Sequence, residues 1–224
     1  MAHNRKTYTQ CLDKIGERLE RANYVLNVSR RMATNGQMKD ALSLAFTLAR
    51  EVEYLALLAR ALPAYTGNPQ AATEMEHITA DVVPIEVGFT IQGWFKVTMP
   101  ILLPKKAKGS PEYVRSILYP AMRRFFHGRE PVCYPKCTLV MRHIYDQARP
   151  ERGYRDHDNV EVKAVVDIMA LYVMKDDSAL RCNHYYCGIP GSRDQTEIYV
   201  IPQHDLMLFL EAEYAGESFL EIQP

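Results

Sequence analysis

The residues from Asp156 to Asp177 form the part of the chain richest in groups that could do chemistry. Asp156 and Asp158 are two residues apart, so in an extended segment both carboxylates point to the same side. A second acidic pair, Asp176 and Asp177, follows a predicted helix, and a turn there would bring three or four carboxylates together. Crowded carboxylates repel one another, and a hard cation with oxygen ligands relieves that repulsion. The spacing therefore predicts a divalent-metal site.

A lysine accompanies these acids. The helix predicted for residues 160–173 has Asn159 as its capping residue and Lys163 one turn in. Side chains of a helix lean toward its N-terminus, so we expect Lys163 to reach the carboxylates of Asp156 and Asp158. Its charge could stabilise a phosphate under attack. A structural explanation stays open, because Asp-x-Asp-Asn is typical of caps and Asp-Asp-Ser of surface turns.

The pattern D-H-D-N, a lysine, then D-D-S, flanked by predicted strands, resembles the signature of the RusA-type Holliday-junction resolvases. The resemblance implies that Asp156, Asp158 and Asp177 bind the metal, that Asp176 supports them, and that Lys163 and Asp177 are catalytic. It implies a homodimeric endonuclease that uses Mg²⁺, or alternatively Mn²⁺, to hydrolyse branched DNA in recombination and repair. Members of this family are often encoded by phages and other mobile elements.

The resemblance covers roughly residues 84–205, and one of its departures concerns the lysine. Lys163 lies one position further from Asp158 than in the family pattern. A shift of one residue turns a helical side chain by roughly 100°. A second reading therefore stays open, in which a RusA-like protein binds nucleic acid or a protein partner without cutting.

The charge is unevenly distributed along a chain whose net charge is zero. Residues 91–155 carry 13 basic and 4 acidic residues, a net charge of +9, whereas residues 156–224 carry 4 and 13, a net charge of −9. A protein that holds phosphates beside a carboxylate cluster has this pattern, and so do two blocks that neutralise each other within one fold. Lys105, Lys106 and Lys108 are the predicted DNA-binding residues, although a solvated loop explains them nearly as well.

The helices and strands predicted along the chain, which must position the candidate site residues, indicate an α+β fold. Two amphipathic helices, over about 4–34 and 37–62, meet at Asn35-Gly36 and form a hairpin that occupies residues 1–62. The apolar faces of this hairpin need a partner, either the rest of the chain or a second copy. Residues 63–83 are expected to form a loop-like linker.

Residues 84–224 are expected to form a RusA-like domain, a mixed sheet packed with helices. Strands are predicted near residues 87–91, 94–99, 139–145, 180–186 and 197–201. A helix should begin with Ser110 as its cap, bend at Pro120 and reach Phe126, and a short helix should begin near His204. A basic loop with Arg149, Arg152 and Arg155 precedes the acids.

The amino-acid composition indicates which class of protein this chain belongs to. Apolar residues make up 47% of the chain and charged residues 24%, as in globular proteins. The polar N-terminus and the lack of long apolar runs predict a soluble cytoplasmic protein with no membrane partner. Because no export signal is predicted, we expect the five cysteines to be reduced thiols. Their spacings match those of zinc sites only loosely, so we expect no structural zinc.

Overall fold

The computed structural model describes residues 2–148 and 154–215, and the chain divides into two compact units between Ile78 and Thr79. Arg149 and Arg152 of the predicted basic loop lie outside the described residues. The two units are described separately.

The N-terminal unit is a helical hairpin followed by shorter helices. Helix α1 spans Ala2–Thr34 and helix α2 spans Met38–Ala61. The chain reverses at Asn35-Gly36, where Gly36 has φ of 74°, a left-handed conformation that glycine adopts without strain. The two helices run antiparallel, because Arg18 pairs with Glu51 while Ser29, further along α1, bonds to Ala41.

Residues 63–83, expected to be a loop, are largely helical. A short 3₁₀ helix spans Leu62–Thr66, and helix α3 spans Ala71–Val82. The side chain of Asn68 accepts a hydrogen bond from Gln70 N (2.9 Å) just before α3 begins. The Pro and Gly residues that suggested a loop mark the boundary between two helices, and the alanine-rich stretch after them favours a helix.

The second unit is built on a five-stranded mixed sheet in the order β1-β2-β5-β3-β4. The strands are β1 Glu86–Phe89, β2 Phe95–Met99, β3 Cys137–Asp146, β4 Cys182–Gly191 and β5 Gln195–Pro202. β1 and β2 form an antiparallel hairpin, and β5 lies between β2 and β3. β3 and β4 are parallel, so the chain between them crosses over the sheet.

Helices cover both faces of this sheet. Helix α4 spans Ser110–Phe126 and helix α5 spans Lys163–Tyr172; their apolar side chains join those of Phe95, Leu139 and Ile198 in the main core. Helix α6, Leu206–Tyr214, packs Phe209 against Trp94 and Tyr199 on the other face. The α+β class and the N-terminal helical pair are confirmed. Among the described residues, none of the helices is long and apolar enough to span a membrane.

Helix α4 differs from its prediction at its start. Ser110 is its first residue, and the capping position belongs to Gly109, whose φ of 93° is left-handed. The Ser110 hydroxyl is buried and bonds elsewhere, as described below. Pro120 lies inside the helix, which nevertheless continues to Phe126.

Candidate functional site

A pocket of about 470 Å³ lies on the surface of the second unit, beside the start of α5 and the strand β4. Asp158, Lys163 and Asp177 are among its lining residues, although 18 residues and the whole of α5 separate the two acids. The rest of the lining consists of Lys106, His157, Val162, Val166, Asp167, His184 and Tyr186. The crossover between β3 and β4 thus brings one acid from each end of its helix to the same pocket.

The first acid lies on a short 3₁₀ helix, His157–Asn159. Lys106 holds this turn in place: its backbone N donates to Asn159 O (2.7 Å), and its Nζ donates to Asp158 O (2.7 Å). Lys105 pairs with Val160 in an isolated antiparallel bridge next to these bonds. The predicted DNA-binding stretch is therefore attached by its backbone to the segment that carries Asp158. Lys105, Lys106 and Lys108 are all exposed.

Helix α5 begins three residues later than predicted, and Asn159 is not its cap. The capping position is Val162, and Lys163 is the first helical residue. The buried carboxylate of Glu161 takes over the capping role: Oε1 accepts from Ala164 N (3.2 Å) and Oε2 from the Ser110 hydroxyl (3.0 Å). One buried acid therefore links the starts of α4 and α5.

The ammonium of Lys163 does not make the predicted contact with Asp156 and Asp158. Its Nζ donates instead to Asp167 Oδ1 (2.8 Å), one turn further along α5, and Arg115 donates to the other oxygen of Asp167 (3.2 Å). The hydrogen bond to Asp167 raises the pKa of Lys163, and the nearby charge of Asp177 adds to the effect. The bond from Lys163 in turn lowers the pKa of Asp167. Because Lys163 begins the helix, its nearest acid is the one four residues ahead.

The remaining predicted acids occupy different environments. Asp156 is exposed and precedes the 3₁₀ turn, but it is not among the lining residues. Asp176 accepts hydrogen bonds from the backbone N (3.3 Å) and hydroxyl (2.6 Å) of Ser178, which lower its pKa. Within residues 2–148 and 154–215, no three His, Cys, Asp or Glu side chains are arranged closely enough to hold a metal ion.

Histidine and tyrosine side chains that the sequence did not assign to the site line one side of the pocket. The ring of His157 is nearly parallel to that of His143 (centroids 6.3 Å apart) and tilted against that of Tyr186 (5.3 Å). His184 Nδ1 lies 3.1 Å from the Tyr186 hydroxyl. In an extended segment His157 would point away from the acids, but the 3₁₀ turn directs its ring into the pocket. The alternation of side chains in an extended segment does not indicate such a turn, so the sequence did not predict the direction of His157.

Their surroundings shift the pKa of two of these histidines, His184 and His143. A hydrogen bond with Cys182 raises the pKa of His184, which counteracts the effect of its partial burial, and the charge of Asp177 contributes. Burial lowers the pKa of His143 to about 4, with Arg155 and His157 acting in the same direction. His184 therefore retains a proton more readily than an ordinary histidine, while His143 is neutral at pH 7. The thiols of all five cysteines are free.

Comparison with known proteins gives a family without an assigned activity. The chain belongs to the DUF6100 family, described as a family of unknown function, whose model matches residues 4–223. No curated protein matches the chain.

Proposed function

We propose that the protein is a metal-dependent endonuclease of the RusA type that hydrolyses phosphodiester bonds in branched DNA, Holliday junctions included. One observation carries the proposal: Asp158, Lys163 and Asp177, chosen from the sequence as a metal ligand, a catalytic lysine and an acid with both roles, line one pocket. The basic residue Lys106 lies in the same lining.

The donor set of the pocket fits a hydrated Mg²⁺ ion. Asp158 and Asp177 offer carboxylate oxygens, and Mg²⁺ commonly binds through one or two carboxylates while keeping several waters and substrate phosphates. A volume of about 470 Å³ leaves room for those waters. Mn²⁺ accepts the same ligands. In the proposal Asp156, which directly precedes the turn that carries Asp158, is a third acid.

In this proposal five of the lining side chains have defined tasks. Asp158 and Asp177 would hold the ion, which would lower the pKa of a bound water and stabilise charge on the phosphate. Lys106 and Lys163 place positive charge beside the phosphate oxygens. His184, with its raised pKa, is suited to deliver a proton to the departing oxygen. A symmetric cut across a junction requires two copies of this pocket, hence a homodimer.

The pairing of Lys163 with Asp167 favours a second candidate. A lysine whose charge is already balanced by an acid (2.8 Å) gives less stabilisation to a phosphate than an unpaired one. A RusA-like protein that binds nucleic acid or a protein partner without cutting it would tolerate that pairing.

Cleavage of a labelled four-way junction, with and without Mg²⁺ or Mn²⁺, tests the proposal. Paired nicks should require the ion, and Asp158→Asn or Asp177→Asn should reduce their rate by roughly a hundredfold or more, the scale of removing an electrostatic group from a reaction centre. Asp156→Asn shows whether the third acid takes part.

Asp13→Asn on α1, far along the chain from the pocket residues, is the matched control and should cut at the wild-type rate. Metal-independent nicking, or nicking unchanged in both pocket variants, would rule out the proposed enzyme. Junction binding without any nicking would favour the second candidate.

A further inference from the structure

Two cysteines on neighbouring strands of the second unit face each other beside the pocket. Cys137 begins β3 and Cys182 begins β4, and the register of these parallel strands pairs the two residues directly. Paired residues on adjacent strands project their side chains to the same face of the sheet. Both side chains belong to the main core, with exposed fractions of 1% and 5%.

We propose that Cys137 and Cys182 are a redox couple: hydrogen peroxide joins them by a disulfide between β3 and β4, and this bond tightens the turn that carries Asp177. The inference concerns a device beside the pocket and does not depend on the proposed nuclease activity.

The spacing of the two strands fits a disulfide. Neighbouring strands of a sheet lie about 4.8 Å apart. The Cα atoms of disulfide-bonded cysteines are roughly 4.4–6.8 Å apart, so residues paired across two strands are within reach of each other. The Cys137 thiol already donates a hydrogen bond to the sulfur of Cys182, which makes the two sulfur atoms neighbours in the reduced protein.

The two thiols differ in acidity. The hydrogen bond from Cys137 lowers the pKa of Cys182, and His184, two residues further along β4, acts in the same direction. The same bond, together with burial, raises the pKa of Cys137. Because the thiolate is the form that reacts with peroxide, Cys182 is the residue oxidised first and Cys137 is the resolving cysteine.

A molecule little larger than water reaches Cys182 from the edge of the sheet. β4 is the last strand in the sheet order, and Cys182 is its first residue. Leu180, 88% exposed, lies two residues before Cys182, and the exposed Asn183 directly follows it. Opening of the first residue of an edge strand is a local event that leaves the rest of the fold in place.

The reaction balances with peroxide as the only co-reactant. The Cys182 thiolate attacks one oxygen of the peroxide, the O–O bond breaks, and a sulfenic acid and one water result after protonation. The Cys137 sulfur then attacks the Cys182 sulfur, the S–O bond breaks, and the hydroxyl leaves with the Cys137 proton as a second water. Two thiols are thereby oxidised to one disulfide, and one peroxide is reduced to two waters.

The disulfide acts on the pocket through the turn that precedes β4. The backbone N–H groups of Arg181 and Cys182 both donate to Ser178 O, at 2.8 and 2.9 Å. Ser178 in turn donates to the Asp176 carboxylate, and Asp177, which lines the pocket, lies between these two residues. A covalent bond from Cys182 to β3 therefore restricts the turn on which Asp177 lies.

Peroxide treatment of the full chain, followed by intact mass and peptide mapping without reductant, tests the pairing. The wild type should lose the mass of two hydrogen atoms, yield a peptide pair linked through Cys137 and Cys182, and return to its original mass with dithiothreitol. Cys137→Ser and Cys182→Ser should each abolish that linkage. The map of the wild type decides the pairing even where a serine variant fails to fold.

Cys187→Ser is the matched control. Cys187 lies on the same strand, but its thiol donates to Glu213 (2.9 Å), so this variant should form the disulfide as the wild type does. In the oxidised wild type, amide hydrogen exchange at Arg181 and Cys182 should slow at least about tenfold relative to the reduced protein, because the disulfide opposes local opening.

No loss of mass, a linkage through the exposed Cys133, or a sulfinic acid on Cys182 without a disulfide would overturn the pairing. Unchanged exchange at Arg181 and Cys182 in the oxidised protein would overturn the tightening of the turn. Both measurements are made without DNA or metal, so a failure of the nuclease proposal leaves them unchanged.

Discussion

At the scale of single residues, His143 is a buried base that should lower the stability of the fold at low pH. It is 1% exposed, and within the described residues neither of its ring nitrogens has a hydrogen-bond partner. Burial lowers its pKa from 6.5 to about 4, so the unfolded chain binds a proton between these values and the folded chain does not. Folding stability should therefore fall as the pH drops from 6.5 toward 4, by roughly 3 kcal/mol from this group.

His143→Phe keeps an aromatic ring and removes the titration, so its free energy of unfolding should lose less on acidification than that of the wild type. Urea unfolding at pH 7 and near pH 4.5 measures the difference. His77→Phe, at an exposed position on α3, should keep the wild-type pH dependence. Equal losses in wild type and His143→Phe would show that His143 is not the group responsible.

At the scale of elements, the site depends on how two helices begin. Glu161 is 6% exposed and joins the first residue of α4 to the first turn of α5 through its two hydrogen bonds. Glu161→Ala removes both bonds and leaves the Ser110 hydroxyl and the Ala164 N–H without this acceptor. The expected loss of unfolding free energy is about 2 kcal/mol, measured by urea titration.

Glu112→Ala, an exposed acid in the first turn of α4, is the matched control and should lose only about 0.5 kcal/mol from the helix dipole. Equal effects of the two substitutions would contradict the linking role of Glu161. Because Lys163 follows Glu161 by two residues, the Glu161 variant should also impair any activity of the pocket.

At the scale of the whole molecule, the basic block over residues 91–155 should make DNA binding sensitive to salt. Each lysine that contacts a phosphate adds about 0.9 to the slope of log affinity against log salt. Replacing Lys105, Lys106 and Lys108 by alanine should therefore lower the slope by about 2 to 3, measured by junction binding at several salt concentrations.

Lys14→Ala with Lys39→Ala removes two basic residues from the hairpin and should leave the slope unchanged. An unchanged slope in the triple variant would show that these lysines form an ordinary solvated loop. The two blocks would then neutralise each other within the fold.

The sequence by itself determined the fold class and most of the elements. The α+β class, the hairpin with its turn at Asn35-Gly36, and the strands of the sheet follow from local periodicity and turn chemistry, which depend on neighbours along the chain. The segment over residues 63–83 was misread because Pro and Gly mark helix boundaries as well as loops.

Only the tertiary structure decided which chemical groups meet. The insertion of β5 between β2 and β3, the crossover that brings Asp158 and Asp177 to one pocket, and the direction of His157 depend on contacts between distant segments. Lys163 does not contact the predicted Asp156 and Asp158, and the reason is physical. The buried Glu161, which is hydrogen-bonded to Ser110 of another helix, places the start of α5 at Lys163. From that position Lys163 contacts Asp167. The hydrogen bond between Glu161 and Ser110 that sets this position involves a residue outside 156–177, so no pattern within that segment predicts it.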